Sequence, residues 1–130
     1  MTIADTDVLI DYLAGKGEAD EVERLLRHGS LRTTVISRFE LLSGAKSPKQ
    51  LARLVQLLAA MPSLGLDDAA ADAASEIRRF LERSGKSIGM ADSLIAGIVT
   101  SNAGTLLTRN RRHFERFRAF ALLEPRRRSR

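Results

Sequence analysis

Short apolar runs alternate with helical patterns of apolar side chains along this chain. The apolar runs predict five strands, at residues 2–5, 31–36, 63–66, 104–108 and 119–123. Between them, apolar residues recur every three or four positions, which predicts amphipathic helices that include residues 7–14, 18–28, 49–61 and 69–83. This alternation indicates βαβ units and a parallel sheet, so the predicted fold class is α/β. The first strand is expected to be central, because strongly apolar strands are the buried ones.

Length and composition agree with a single domain. The 130 residues suit one hydrophobic core, and 44% of them are apolar. Pro125 is expected to close a domain of residues 1–125, which leaves residues 126–130 as a basic, disordered tail. No apolar run has the length of a membrane span and no signal peptide is recognisable, so a soluble, cytoplasmic protein is expected. The absence of cysteine excludes disulfides and thiolate metal sites.

Positive charge is concentrated in the last part of the chain. The net charge is +5, and two acids, Glu115 and Glu124, oppose the arginines there, which are Arg109, Arg111, Arg112, Arg116, Arg118, Arg126, Arg127, Arg128 and Arg130. Such a block indicates a polyanionic partner, and arginine favours phosphate because its planar guanidinium bonds two oxygens at once. The alternative is a solvated surface followed by a frayed tail.

Polar side chains follow the predicted strands at the edge where an open α/β sheet binds its ligands. Asp5 ends the first strand, and Glu40 lies one turn into the helix after the second. Asp92 opens the helix before the fourth strand, and Asn110 follows that strand. Neighbouring parallel strands would bring these four side chains together.

Each of these acids also has an ordinary structural explanation. Asp5 or Asp7 is a suitable N-cap for the first helix. Ser37 and Glu40 have the spacing of a capping box, in which two side chains bond each other's backbone N–H groups. Asp92 is a suitable N-cap for its own helix, although a position on the helix would align it with apolar Ile95.

Clustered carboxylates repel each other unless a cation lies among them. With oxygen ligands and no cysteine, that cation is expected to be Mg²⁺ or Mn²⁺. A divalent ion held by carboxylates suits phosphodiester hydrolysis, because it activates a water and stabilises the developing negative charge. Arg109, Arg111 and Arg112 would then contact a nucleic-acid backbone beside the acids. Acid pattern and charge distribution therefore predict the same function.

Four motifs in order carry a family resemblance. They are Asp5-Thr6-Asp7-Val8-Leu9-Ile10-Asp11, Ser37-x-x-Glu40-Leu41 with Gly44, Asp92-x-x-Ile95-Ala96, and Thr108-x-Asn110-x-x-His113-Phe114. With them the sequence resembles the PIN-domain ribonucleases, and most closely the VapC-type toxins of bacterial type II toxin–antitoxin pairs. The resemblance extends from Ile3 to about Pro125.

The resemblance implies a Rossmann-like PIN domain with a five-stranded parallel sheet, in the order 3-2-1-4-5, flanked by helices. It implies a Mg²⁺-dependent endoribonuclease acting on tRNA or rRNA, which forms homodimers and is inhibited by a VapB-type antitoxin in a hetero-oligomer. By position, the resemblance makes Asp5, Glu40 and Asp92 the metal-binding acids. It makes Thr6 and Thr108 supporting hydroxyls, and it leaves Asp7 as an extra charge without a defined role.

The sequence departs from the family pattern at its fourth acidic position. Many relatives have an aspartate where Asn110 or His113 stands here. Asn110 offers a carbonyl oxygen but no charge, so a second metal would bind more weakly and a one-metal mechanism stays open. His113 is expected either to contact phosphate or to pack.

Two other functions compete with the ribonuclease hypothesis. One is a PIN-like module that binds RNA or a protein partner without cleaving, which the missing fourth acid would favour. The other is a haloacid-dehalogenase-type phosphatase with Asp5 as its nucleophile, although Lys86 and Asn110 fit that chemistry poorly. The apolar helix face with Leu51, Leu54 and Leu58 is either an interface or part of the core.

Overall fold

A parallel sheet forms the centre of the computed structural model, which describes residues 1–109. Within that part of the chain the sheet has four strands, in the order β3-β2-β1-β4. They are β1 (Thr2–Ala4), β2 (Leu31–Thr34), β3 (Ser63–Leu64) and β4 (Thr105–Leu107). β1 pairs with both β2 and β4, with Ala4 opposite Leu107. The predicted central position of the first strand is therefore confirmed.

Six helices connect and cover these strands within residues 1–109. They are α1 (Thr6–Leu13), α2 (Ala19–Arg27), α3 (Val35–Ser43), α4 (Pro48–Ala59), α5 (Asp68–Arg83) and α6 (Met90–Ser101). The predicted α/β fold with a parallel sheet is confirmed, and the strand order matches the first four positions of the predicted 3-2-1-4-5. The predicted fifth strand at 119–123 and the tail at 126–130 lie outside the described residues.

Alternate residues of the central strands point to opposite faces of the sheet and enter two apolar clusters. Ile3 and Leu106 pack in one cluster with residues of α5 and α6. Ala4 and Leu107, their neighbours in sequence, pack in the other cluster with residues of α1, α2 and α4. The sheet is therefore covered on both faces, as a parallel sheet requires.

The apolar face of α4 belongs mainly to the core. Leu54 and Leu58 are buried in the cluster on the α1 side of the sheet. Leu51 and Val55, on the same helix, are exposed. Leu54 and Leu58 therefore take the second of the two predicted alternatives and belong to the core, whereas Leu51 is left on the surface. No helix within residues 1–109 is long and apolar enough to cross a membrane.

Two of the predicted helix starts are wrong by a few residues, and both errors concern the candidate site. α3 begins at Val35, and its N-cap is Thr34, whose Oγ1 accepts a hydrogen bond from the Ser37 backbone N–H at 3.1 Å. Ser37 is therefore inside the helix with a buried side chain, so its predicted capping box with Glu40 does not form. α6 likewise begins two residues before Asp92, which places Asp92 in the first turn and not at the cap.

Candidate functional site

Asp5 lies where β1 ends and α1 begins, beside the end of β4. Its backbone N–H donates to the carbonyl of Leu107 at 2.9 Å, which continues the pairing of the two strands by one residue. Its Oδ1 accepts from the Thr6 backbone N–H at 2.8 Å, and its Oδ2 accepts from the Thr108 hydroxyl at 2.8 Å. Asp5 is the N-cap of α1, as the simpler interpretation predicted, and it is also 95% buried at the predicted edge of the sheet.

Burial raises the pKa of the Asp5 carboxyl from 3.8 to about 6. The hydrogen bonds from Thr108 and Thr6 lower this pKa, and the negative charges of Asp92 and Asp7 raise it further. The net rise means that neighbouring protein groups do not compensate for the burial of this charge. It also means that Asp92, which is distant in sequence, lies close enough to Asp5 to repel it.

Glu40 joins the site through the hydroxyl of Thr6. Its exposed carboxylate accepts a hydrogen bond from Thr6 Oγ1 at 2.7 Å. Thr6 Oγ1 also lies 2.8 Å from Ser37 Oγ. An ionised carboxylate only accepts, so the single proton of Thr6 goes to Glu40 and the proton of the second bond comes from Ser37. Ser37, Thr6 and Glu40 thus form a chain that orients the acid next to Asp5.

Ser37 is a site residue that the sequence interpretation missed. Ser37 stands first in the second family motif, but its position three residues before Glu40 also fits a capping box, so the sequence gives it no role in the site. The length of the second apolar run is a signal in the sequence that could identify Ser37 as a site residue. If that strand ends at Thr34, Ser37 and Glu40 fall on the same face of the following helix, one turn apart.

Asp92 is half-buried in the first turn of α6. Negative charge is favourable at this end of a helix, where free N–H groups carry partial positive charge. Ile95 and Val99, three and seven positions later, are almost completely buried. The predicted continuation of the apolar face from Asp92 is therefore confirmed.

The predicted acids are only partly brought together. The negative charge of Asp92 raises the pKa of Asp5, and Glu40 is connected to Asp5 through Thr6. Within residues 1–109, however, no three acidic or histidine side chains lie close enough to hold one ion. Asn110, Arg111, Arg112 and His113 lie outside the described residues, so their predicted roles are not tested.

This donor set fits a hard divalent cation. The ligands that the described residues offer are carboxylate and hydroxyl oxygens, which Mg²⁺ and Mn²⁺ prefer. The raised pKa of Asp5 also fits a bound cation, because a cation beside this carboxylate would favour its charged form and oppose the cost of burial. Among the described residues, Asp5 offers carboxylate oxygens to such an ion, and Asp92 lies near enough to raise the pKa of Asp5.

Arg109, predicted to bind RNA, contacts two acids of α1. Its Nη1 donates to Asp11 Oδ1 at 3.1 Å, and its Nη2 lies 3.4 Å from Asp7 Oδ1. Asp7, which had no defined role in the sequence, thus pairs with an arginine that directly follows Thr108. Asp11, which was not predicted as a site residue, is almost completely buried.

Two adjoining cavities lie between α1, α2 and α4, and none of the candidate acids lines them. The larger, of about 260 Å³, is lined by Tyr12, Leu13, Leu26, Arg53, Gln56, Leu57 and Ala60. The second, of about 250 Å³, shares Leu13 and Arg53 with the first. Arg53 lines both cavities, and its guanidinium donates to the carbonyl of Leu13 at 2.9 Å. We call this pair of cavities the α1/α4 groove.

Comparison with known proteins agrees with this geometry. The family model for the PIN domain matches residues 2–119. The VapC ribonuclease Mb1587 of Mycobacterium bovis is 31% identical over 116 residues, which cover 85% of this chain and 87% of that protein. The tRNA(fMet)-specific endonuclease VapC of Shigella flexneri is 29% identical and covers 86% of this chain and 88% of its own.

Solved structures give the same result. A chain of the DNA-bound VapBC complex from Salmonella typhimurium superposes with a TM-score of 0.84 and 30% identity, over 94% of this chain and 96% of that one. A chain of VapBC2 from Rickettsia felis has a TM-score of 0.81 at 20% identity, which supports the fold alone. On its sequence, its fold and the acids at the end of its central strand, this chain belongs to the PIN-domain family and, within it, to the VapC-type ribonucleases.

Proposed function

We propose that this protein is the toxin of a VapBC-type pair and a Mg²⁺-dependent endoribonuclease, with Mn²⁺ as an alternative metal. The observation that carries the proposal is the buried Asp5 carboxylate, whose pKa is raised and which lies within the field of Asp92. A buried acid at the ligand-binding edge of an α/β sheet, with a second acid nearby, is a costly arrangement that a bound cation would make favourable.

In this proposal Asp5 and Asp92 hold the metal, and Glu40 completes the acidic surface. The bound ion would supply an activated water and stabilise charge on the phosphate. Thr108 and Thr6 orient the Asp5 carboxylate through their hydrogen bonds. Asn110, as the carbonyl donor after β4, is proposed to contact metal or water without adding charge.

The proposed substrate is RNA, with tRNA or rRNA as the classes to examine first. The relative from Shigella flexneri is named as specific for one tRNA. The arginines after Thr108, Arg111 and Arg112 among them, provide the positive charge that phosphate binding requires. Folded RNAs are recognised mainly by shape, so the cleavage site depends on how the RNA fits around the acids.

Cleavage assays with matched variants test the nuclease. Purified chain free of antitoxin is incubated with total tRNA and rRNA in Mg²⁺, in Mn²⁺ and in EDTA. We expect cleavage at discrete sites that EDTA abolishes and that Asp5→Asn or Asp92→Asn reduces by about 100-fold or more. Asp67→Asn is the control, because Asp67 is also an N-cap aspartate and lies at the start of α5.

Two results would contradict the proposal in different ways. Full cleavage by either Asp5→Asn or Asp92→Asn would remove that acid from the site. Absence of cleavage in every metal, together with RNA binding that persists in EDTA, would instead support the non-cleaving PIN-like module. Membership of the PIN-domain family leaves the phosphatase hypothesis for Asp5 without support.

We further propose that a VapB-type antitoxin inserts an apolar segment into the α1/α4 groove. Several similar solved structures are VapBC complexes, and the groove is lined by leucine side chains together with Arg53. An apolar segment with an acidic side chain opposite Arg53 would match this surface. Homodimers and a toxin–antitoxin hetero-oligomer are also expected, because the resemblance to VapC-type toxins implies them.

One pair of variants on α4 tests the groove. Ala60, the C-cap of α4, lines the groove, whereas Val55 is exposed on α4 and is not among the lining residues. We expect Ala60→Arg to prevent co-purification with the antitoxin encoded beside this gene, and Val55→Arg to leave it unchanged. Equal retention of the antitoxin by both variants would place its contact elsewhere.

A further inference from the structure

Arg109 connects the end of β4 to the side of α1. One guanidinium nitrogen bonds Asp11 at 3.1 Å and the other lies 3.4 Å from Asp7. These two acids are four residues apart and therefore lie on one face of α1, where their like charges would otherwise repel each other. A planar guanidinium that contacts both acids is suited to this geometry in a way that a single lysine ammonium is not.

Asp11 has the most buried side chain of the cluster formed by Asp7, Asp11 and Arg109. Its side chain is only 7% exposed, whereas those of Asp7 and Arg109 are 41% and 55% exposed. The turn after α1 packs against it, since a Cβ placed on Gly17 would lie 2.8 Å from Asp11 Oδ2. A buried carboxylate needs a charged or hydrogen-bonding partner, and Arg109 supplies one.

The position of Arg109 in the chain makes this contact relevant to the site. β4 ends at Leu107, and the next residue, Thr108, donates the hydrogen bond to Asp5 Oδ2. Arg109 follows immediately, and Asn110 is the residue after it. A contact that fixes Arg109 against α1 therefore also restricts the backbone on which Thr108 is carried.

We propose that Asp11 and Asp7 are positioning residues that hold the chain after β4 through Arg109, so that the Thr108 hydroxyl faces Asp5. The proposal deepens the proposed function and rests on it. It gives Arg109 a role different from the RNA contact that the sequence predicted. Removing the cluster would leave Asp5 less well oriented for a metal without removing any group that touches the metal.

The two roles of Arg109 predict different measurements. If Arg109 contacts phosphate, Arg109→Gln weakens RNA binding, and the slope of log affinity against log salt falls by about 1. If it positions Thr108, Arg109→Gln lowers kcat and Mn²⁺ affinity and leaves RNA binding in EDTA unchanged. Asp11→Asn separates them most clearly, because removing a negative charge cannot weaken a phosphate contact directly.

The experiment uses the full chain with Arg109→Gln, Asp11→Asn and the control Arg78→Gln. Arg78 pairs with Glu82 on α5 at 3.1 Å, so its variant loses a similar ion pair away from the site. Mn²⁺ affinity is measured by electron paramagnetic resonance, and kcat and RNA binding are measured separately. We expect both test variants to lose about 10-fold in Mn²⁺ affinity and in kcat, the lower end of the range for losing a direct partner of a metal ligand, because they act through Thr108.

A metal-free measurement keeps the inference testable independently of cleavage. The backbone amide of Asp5 donates to Leu107, next to Thr108, so its NMR resonance reports the arrangement of the two strand ends. We expect this resonance to shift in Arg109→Gln and not in Arg78→Gln. Circular dichroism checks that each variant is folded. If Asp11→Asn unfolds, the single variant Asp7→Asn is compared with Arg109→Gln in its place.

The outcomes separate this inference from the proposed function. If Arg109→Gln leaves the Asp5 resonance and Mn²⁺ affinity unchanged, the positioning role is wrong. If the resonance and Mn²⁺ affinity change but the unmodified protein cleaves no RNA, the positioning role stands and the nuclease proposal fails. A loss of RNA affinity in Arg109→Gln alone, with Asp11→Asn unaffected, would return Arg109 to the predicted RNA contact.

Discussion

Replacing Asp5 with asparagine is expected to stabilise the metal-free protein while abolishing its activity. The Asp5 carboxyl has a pKa of about 6 in the folded chain and a usual value of 3.8. Its ionisation therefore favours the unfolded state at neutral pH. Asparagine has nearly the same shape, can still accept from the Thr6 N–H, and can donate to the Thr108 oxygen once that hydroxyl rotates.

The magnitude follows from the size of the pKa change. A rise of about two units at about 1.36 kcal/mol per unit gives an upper limit of about 3 kcal/mol. Loss of the charged hydrogen bonds reduces this gain, so we expect Asp5→Asn to be more stable by about 1–3 kcal/mol at pH 7.5 in EDTA. For a chain of this length, that corresponds to a rise in Tm of about 3–10 °C.

The stability of the unmodified protein relative to Asp5→Asn changes with pH in a definite direction. Between pH 4 and pH 6 the folded state binds more protons at Asp5 than the unfolded state, so the stability of the unmodified protein decreases as pH rises through this range. Asparagine does not titrate. The advantage of Asp5→Asn should therefore be full above pH 6 and should disappear towards pH 4, and added Mn²⁺ should reduce it by stabilising only the unmodified protein.

Urea denaturation at several pH values, followed by circular dichroism in EDTA, measures this difference. Asp67→Asn is the matched control, because Asp67 caps α5 from an exposed position through a 2.9 Å bond from the Ala70 N–H. We expect that variant to differ little from the unmodified protein at any pH. The reasoning is refuted if Asp5→Asn is no more stable at pH 7.5, or if its advantage does not change between pH 4 and pH 7.

Two other substitutions test the packing and the site. Gly97→Ala should cost about 1–3 kcal/mol or more in urea denaturation, because its Cβ would overlap the Ala70 carbonyl oxygen, whereas the Cβ of Gly65→Ala meets nothing within 4 Å. A loss similar to that of Gly65→Ala would contradict this packing. Thr108→Val should raise the pKa of Asp5 further and weaken Mn²⁺ binding by about 10–100-fold. Thr108→Ser retains the hydroxyl, so equal binding by the two variants would exclude the bond to Asp5 as the cause.

Periodicity in the sequence was sufficient for the order of elements and for the position of the main acid. Apolar runs and helical spacing depend on neighbours within about one or two turns, so β1, α1 and the acid between them could be located without tertiary information. Asp5 follows from the general rule that α/β sheets bind ligands where their strands end. The buried face of α6 after Asp92 was also predicted from spacing alone.

Helix ends were less predictable because several residues have similar capping ability. Thr34 and Ser37 are both good caps, and the sequence favoured Ser37 because Glu40 completed a capping box. In the structure β2 stops at Thr34, and Ser37 contributes its hydroxyl to Thr6. The choice depends on where the strand pairing ends, which is decided by β1 and β3.

The partners of the site residues were decided only by the tertiary structure. Thr108 and Asp5 are 103 positions apart, and Arg109 and Asp11 are 98 positions apart. Sequence alone identified Asp5 and Thr108 as candidate site residues, but it assigned Arg109 to RNA and left Asp11 without a role. A long side chain with five donors has many possible partners, and the parallel pairing of β1 with β4 determines which acids it reaches. The sequence therefore determined which chemical groups the site contains, and the packing of distant segments determined how they are connected.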